Sequence, residues 1–464
     1  MIPLDARAIA AATSGDLRGD GARVARTVAT DSRQIEGDAL FVALRGENAD
    51  GHDYIDEAVA NGAVIVLSER PVEVATATVV VVDDTWQGIG QVAAAVRDRV
   101  DPRAVAITGS VGKTTTKDLT AAAVGAGRPT VAAQGSFNNE LGVPLTLLAL
   151  EADSEVVVSE VGARGVGHIA ELMPLVRPDI GIVTAVAGVH LELFGDIDAI
   201  ETAKGELVEA LPAGGTAILN GNDERVSRMA TRTDAAVLRY GTPDEAVATI
   251  DFAATEVTLD RVARPTFTAR TPWGEVRTTL PVAGRHQVMN ALAALAAAGT
   301  LGVDLEAAAG ALRDAPVSEW RGEVIEAGGV IVLNDAYNAN PTSVRAAVDM
   351  LQSVERTGST WAVLGVMAEI GDTHERDHRD TGREAVERGV DHLIVVGEDA
   401  AAMAEGGRAA GGDDVRRVSD ADEALSLVRD EVEDGDVVLV KASRVGGLEA
   451  VAQGLAEHRG GTGS

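Results

Sequence analysis

The sequence predicts an α/β protein of more than one domain, built on parallel sheets that are buried on both faces. Three observations predict it. Short runs rich in Val and Ile recur along the chain with helical stretches between them, the pattern of strands covered by helices on both sides. Hydrophobic residues reach 46% while aromatics make up only 3%, so Ala, Val, Leu and Ile must fill the cores. At 464 residues the chain exceeds one ordinary domain, and two or three are expected.

The strand-like runs fall at 105–108, 156–159, 180–186, 216–219, 330–333, 360–364, 392–396 and 437–440. In parallel sheets ligands collect beyond the carboxyl ends of the strands, so the residues after each run are the candidates for chemistry. They are polar: a glycine loop after 108, Glu160, His190, then Asn334 with Asp335, and Lys441. Asp101-Pro102 precedes a new strand and Asp314-Ala315-Pro316 closes an Ala-rich helical stretch. These breaks divide the chain into 1–99, 100–314 and 315–464. No internal repeat is present.

Composition excludes several classes. With no Cys, disulfide scaffolds, thiolate zinc sites and cysteine nucleophiles are ruled out, and any metal must be held by oxygen or imidazole. Forty Lys and Arg against 72 Asp and Glu give a net charge of -32, which repels nucleic acid and anionic lipid. A phosphate ligand must therefore be captured locally, by backbone amides and cations. A salty cytoplasm and a high-GC genome both produce such acidity. No run approaches the ~20 apolar residues of a membrane span, and no basic stretch leads into an apolar one at the N-terminus. The expectation is a soluble cytoplasmic protein with no membrane insertion.

The strongest motif is Thr108-Gly109-Ser110-Val111-Gly112-Lys113-Thr114-Thr115-Thr116, where a strand feeds a glycine loop that opens a helix. Gly109 and Gly112 let backbone N–H groups approach phosphate oxygens, Lys113 neutralises them and the Thr114 hydroxyl suits Mg2+. The loop is a shortened variant, because Ile107 stands where the usual spacing has a first glycine. An ordinary strand-helix turn would not need Lys and three Thr directly after the glycine. Lysine usage sharpens this reading: the chain has four, Lys113, Lys117, Lys204 and Lys441, and meets its other cationic needs with Arg.

Lys204 falls within the apolar stripe Ile200, Leu207, Val208, Leu211 of a helical stretch at 197–211. A buried lysine has a lowered pKa and offers a free amine; a lysine snorkelling from the helix edge fits the same pattern. Glu160 and His190 follow strands, where a carboxylate and an imidazole can ligate a divalent cation, though a lone His there is more often a structural hydrogen-bonder. Turn chemistry alone accounts for single clusters such as Ser136-Phe137-Asn138-Asn139, Asn334-Asp335-Ala336-Tyr337-Asn338-Ala339-Asn340-Pro341, Asp31-Ser32-Arg33 and Asp50-Gly51-His52.

Taken together, these residues resemble the Mur ligase family, the ATP-dependent amide-forming enzymes of peptidoglycan precursor synthesis, over nearly the whole chain. Asp31-Ser32-Arg33 with Gly37-Asp38 and Phe41-Val42-Ala43, Ser136 to Asn139, Ala203-Lys204-Gly205-Glu206 and above all Asn334 to Pro341 carry the resemblance. Within the family they most resemble the member that adds D-Ala-D-Ala to UDP-N-acetylmuramoyl-tripeptide. The Asp-Asn-Pro-Arg motif of the member acting one step earlier is missing.

The resemblance implies three domains: an N-terminal UDP-sugar-binding α/β domain, a central phosphate-loop ATPase domain and a C-terminal Rossmann-like domain. It implies ATP, two Mg2+ ions and a CO2-derived carbamate on Lys204. Residues 109–115, with Val111 and Thr115 among them, would cradle the nucleotide. Thr114 and Glu160 would hold the first Mg2+, His190 the second, and the Lys204 carbamate would partner that second metal. Asn139, Asn290, Arg321 and Asp335 would contact the nucleotide. Asp31, Ser32, Arg33, Asn138, Asn139, Tyr337, Asn338 and Asn340 would serve the substrates, in a monomer. Two positions depart from the family pattern: 184–190 lack the Asn common before the metal-site His, and Val366 replaces a common acidic residue. Another Mur ligase, a folylpolyglutamate-type ligase and a phosphate-loop switch ATPase remain the alternative readings.

Overall fold

A computed structural model of the chain describes residues 1–188, 191–243 and 250–460. Three large sheets stand along the chain, and the strand-like runs of the sequence form the middles of two of them. The central sheet has nine strands, with Arg103–Thr108 between Val156–Glu160 and Ile180–Val183, all parallel. Thr130–Ala132 closes one edge, while Thr216–Asn220 and Ala236–Gly241 extend the other. Every residue of Val156–Glu160 and Ile180–Val183 is buried, as strands covered on both faces require.

The parallel pattern does not hold throughout. Beyond Ala236–Gly241 the central sheet continues through Phe252–Leu259 into an antiparallel hairpin, Pro265–Thr271 with Gly274–Thr279. Its burial alternates along Pro265–Thr271, so one face is wet and the sequence there lacks continuous apolar runs. Likewise the run at 180–186 is strand only to Val183: Thr184 leaves the sheet and donates its hydroxyl to the Val111 carbonyl at 2.6 Å.

The C-terminal sheet has six strands in the order Glu323–Ala327, Val330–Asn334, Val437–Lys441, Thr360–Leu364, His392–Val396 and Asp414–Val418. Only the first is antiparallel to its neighbour. A smaller sheet of five strands, all within residues 16–81, precedes the other two. Among the described residues no helix is long and apolar enough to cross a membrane.

Two helices position the site. Lys113–Gly125 starts directly from the glycine loop and packs against Gln287–Thr300. From Ala291 to Ala298 the second helix is wholly buried, and its small side chains let the two helices and the sheet approach closely. The helix Pro341–Gln352 is started by a capping box, with Asn340 accepting from the Ser343 amide and Pro341 at the first turn. Apolar residues on its inner face, Val344, Ala347, Val348 and Leu351, anchor it to the C-terminal core.

Candidate active site

The carboxyl edges of the central and C-terminal sheets face one cleft of about 720 Å³. The glycine loop forms its floor. Gly109 has φ +144° and a Cβ there would stand 2.0 Å from the Thr184 hydroxyl; Gly112 has φ +83° and a Cβ would stand 2.7 Å from Asn290 Oδ1. Both positions therefore demand glycine for conformation and for space. Ser110 fixes the loop from beneath, its amide bonding Ala185 O and its hydroxyl the carbonyl of Ala187. Lys113 donates to the Gly109 carbonyl at 2.8 Å. Burial by the cleft walls pushes its pKa down; Glu160 opposes that and Arg321 adds to it.

Glu160 ends its strand beside Ile107 and is 1% exposed. One carboxylate oxygen accepts from Thr114 Oγ1 at 2.7 Å and the other from Asn138 Nδ2 at 2.8 Å. A carboxylate and a hydroxyl at the mouth of a phosphate loop form a hard oxygen pair, the donor type that Mg2+ takes together with nucleotide phosphates. Among the described residues no three His, Asp or Glu side chains gather as a ready-made metal cage. The oxygen pair thus fits a cation that arrives with phosphate. His190 lies outside the described residues.

Lys204 projects from the helix Ile197–Glu209 into the same cleft and is 2% exposed. Its Nζ lies 5.8 Å from the centre of the Phe194 ring. Burial, with the Lys113 charge second, brings its pKa down to about 7, against the pull of Glu206 and Glu160. A substantial share of the amine is therefore neutral near pH 7. The residues around it explain the local sequence. Gly205 leaves room for the Arg232 guanidinium, which a Cβ would meet at 1.8 Å, and Glu206 accepts from the amides of Gly167 and Ala170 at the start of the next helix, His168–Val176.

The opposite wall comes from the C-terminal sheet. Asp335 accepts from the Gly322 amide and from Lys441 Nζ at 2.6 Å, and Lys441 also donates to the Asn338 carbonyl. The Arg321 guanidinium stacks 4.0 Å over the Tyr337 ring. Tyr337 in turn meets Ser136 of the central wall through their hydroxyls. Asn338 and Asn340 line the cleft too, although Asn340 Oδ1 is taken by the helix cap, where it accepts from the Ser343 amide. Asn139 Oδ1 accepts from the Gly142 amide, and Asn290 Oδ1 accepts from Thr116 Oγ1 while its amide group donates to Gln287. Both keep a face on the cleft.

Asp31, Ser32 and Arg33 are not among the residues that line it. They cap a turn in the N-terminal sheet region. Asp31 accepts from the Arg33 side chain at 2.7 Å and from its amide, which together draw the carboxyl down to about 2. Ser32 is buried and donates to Glu57, while the Arg33 side chain is 80% exposed.

Reading the sequence alone gave no role to Lys117 or Thr184, and named Lys441 only as the residue after a strand-like run and Glu206 only within the segment 203–206. The scarcity of lysine was the available signal: Lys117, Lys204 and Lys441 are each 2% exposed, and Lys113 floors the cleft. The local sequence does not disclose what Thr184 and Glu206 hold, because their partners at 111 and 167–170 come from other elements.

This is the site of a phosphate-loop ligase closed by a second nucleotide-fold sheet, and the chain belongs to the Mur ligase family. Residues 25–106 match the model described as Mur ligase family, catalytic domain, 107–298 the Mur ligase middle domain, and 320–444 the Mur ligase, glutamate ligase domain. A relative from Mycobacterium tuberculosis named UDP-N-acetylmuramoyl-tripeptide--D-alanyl-D-alanine ligase is 41% identical, over 93% of this chain and 92% of its own. The crystal structure of MurF from Acinetobacter baumannii superposes with TM-score 0.87 at 32% identity, covering 98% of this chain and 99% of that one. A MurF ligase from Thermotoga maritima, solved in complex with ADP, superposes with TM-score 0.78 at 25% identity, covering 93% and 97%.

Proposed function

We propose that this chain joins D-alanyl-D-alanine to UDP-N-acetylmuramoyl-tripeptide in peptidoglycan precursor synthesis, converting ATP to ADP and phosphate. The observation that carries this reading is the single cleft in which the glycine loop and Glu160 face the Asn334-to-Pro341 segment, in a chain that aligns over nearly its full length with relatives of that name.

In the reaction the tripeptide carboxylate attacks the γ-phosphate of ATP, giving an acyl phosphate and ADP, and the dipeptide amine then displaces phosphate. Such transfer rests on positioning and charge neutralisation. The amides of 109–115 hold the phosphates, and Lys113 exchanges the Gly109 carbonyl for a phosphate oxygen. Thr114 and Glu160 hold Mg2+, with His190 at a second ion; when bound, Mg2+ supplies charge neutralisation at the phosphates. Asn139, Asn290, Arg321 and Asp335 surround the nucleotide, while Asn138, Tyr337, Asn338 and Asn340 face the substrates. Lys204 is the carbamylation site: its neutral amine attacks CO2, releasing a proton and leaving a carbamate.

The reading assigns 1–99 to the UDP-sugar, with Asp31, Ser32 and Arg33 at that site, 100–314 to ATP and 315–464 to closure over it. The reading takes the protein as a cytoplasmic monomer, in which one chain supplies both walls. Phosphate release tests the reading: it should require both UDP-N-acetylmuramoyl-tripeptide and D-Ala-D-Ala. ATP turnover indifferent to the added amine would favour a switch ATPase instead.

A further inference from the structure

The second turn of the phosphate-loop helix holds a buried pair that the reaction above does not use. Lys117 is 2% exposed; it donates to the carbonyls of Ala133 at 2.7 Å and Gly135 at 2.9 Å and forms an ion pair with Asp118 at 2.6 Å. Asp118, its side chain 10% exposed, accepts from the Ser318 amide at 2.8 Å with its other oxygen. Each contact leads to a wall of the cleft. Ala133 and Gly135 precede Ser136, which meets Tyr337, and Asn138, which holds Glu160. Ser318 lies three residues before Arg321, within the segment that crosses from the central to the C-terminal sheet.

We propose that Lys117 and Asp118 form a positioning pair that couples the glycine loop to the crossing segment around Ser318, so that nucleotide on the loop sets where Arg321 and Tyr337 stand. Several features favour this over simple packing. A buried charge pair is a weak device for stability compared with apolar residues of the same volume, and this chain otherwise avoids Lys. The pair sits one turn beyond Lys113 on the same rigid helix, so any shift of the helix start on binding phosphate is passed to both partners. Lys117 cannot be replaced conservatively by Arg, since a planar guanidinium cannot reach both carbonyls and keep its charge against Asp118 from one compact point.

The proposal rests on the ligase reading for its consequence in turnover, but its physical core is read without turnover. ADP is the probe, and hydrogen exchange of the amides of segment 316–322, from Val317 onward, is the readout. In the wild type ADP should slow exchange there several-fold. Asp118→Ala should bind ADP within about threefold of wild type, lose the ADP-dependent protection at 316–322 and lower kcat by tenfold or more.

Ser318→Pro removes the one donor and leaves both charges paired, so it decides the matter even where Asp118→Ala does not fold. It should show the same uncoupling. A folded Ser318→Pro variant with wild-type kcat and wild-type ADP-dependent protection would overturn the proposal, as would a wild type in which ADP leaves 316–322 unaffected. If the wild type shows the protection but releases no phosphate with the two substrates, the ligase reading fails and the coupling stands.

Discussion

The two walls of the cleft are both polar, yet they spend their polar groups differently. On the central wall Lys113, Thr114 and Glu160 sit at strand or helix ends, where Lys113 bonds the loop itself and Glu160 accepts from Thr114 and Asn138, while Lys204 reaches the cleft from the middle of its helix. Those bonds can be exchanged for a ligand without disturbing a core. On the C-terminal wall Lys441 braces Asp335 and Asn338, Asn340 caps a helix, and Asp335 ties down Gly322. There the polar groups shape the wall, and Arg321 stacked on Tyr337 is what it presents. The difference teaches that substitutions on the first wall should strike turnover, and those on the second should strike stability first.

Lys113→Ala is the hardest test. It should lower kcat by at least ~10³-fold, about 4 kcal/mol of transition-state stabilisation, with a melting temperature close to wild type. Phosphate release and thermal melting check both halves, and a folded variant with substantial ligase activity would remove Lys113 from the chemistry.

Lys204→Ala should lose on the order of 10²-fold or more, and formate or acetate should restore part of it by standing in for the carbamate. Lys204→Arg should be inactive and beyond such rescue. Full wild-type activity after bicarbonate depletion, with a working Arg variant, would make Lys204 an ordinary buried lysine.

Lys441→Met probes the other wall. It strands Asp335 against a buried neighbour and should cost about 3 kcal/mol of stability, read as a lowered unfolding midpoint, with turnover affected less than by either change above. If kcat collapses while the midpoint holds, the division between the walls is wrong.

The C-terminal side also contains a pH-sensitive clamp. His378 is fully buried, accepts from the Met367 amide and donates to the His374 carbonyl. Burial brings its pKa down to about 4. The unfolded chain then binds a proton near pH 6.5 that the folded one refuses until about pH 4, so stability is fully present above 6.5 and falls across that window. The loss should be on the order of 2–3 kcal/mol, and His378→Asn should flatten the slope in a denaturation series across those pH values.

Arg33→Ala carries the smallest expectation. Its guanidinium is exposed and pairs with Asp31, a pair worth little to stability. The variant should melt like wild type and raise the KM for the UDP substrate several-fold. An unchanged KM would count against placing the UDP-sugar there.

Much of the central wall was legible because its signals are local. A glycine loop with Lys and Thr directly after it, and strands marked by unbroken apolar runs, lie within a dozen residues of each other. Helical period placed the lysine at 204 in an apolar stripe, and only the fold shows it buried rather than snorkelling from the helix edge. The antiparallel extension at 252–279 escaped notice because its strands are half-exposed and alternate polar with apolar residues.

What the sequence determined by itself is therefore the parallel-sheet class, the phosphate loop and the stock of residues able to do chemistry, since each depends on neighbours along the chain. Which of those residues remain free for a ligand was decided only by tertiary structure. Asn338 and Asn340 look alike as members of one motif, but the side-chain oxygen of Asn340 is spent on a helix cap, a bond that the fold assigns. The pairings Lys441 with Asp335, Thr114 with Glu160 and Asp118 with Ser318 join positions 106, 46 and 200 residues apart. No local pattern encodes such a bond, because its energy appears only when the fold has removed both partners from water.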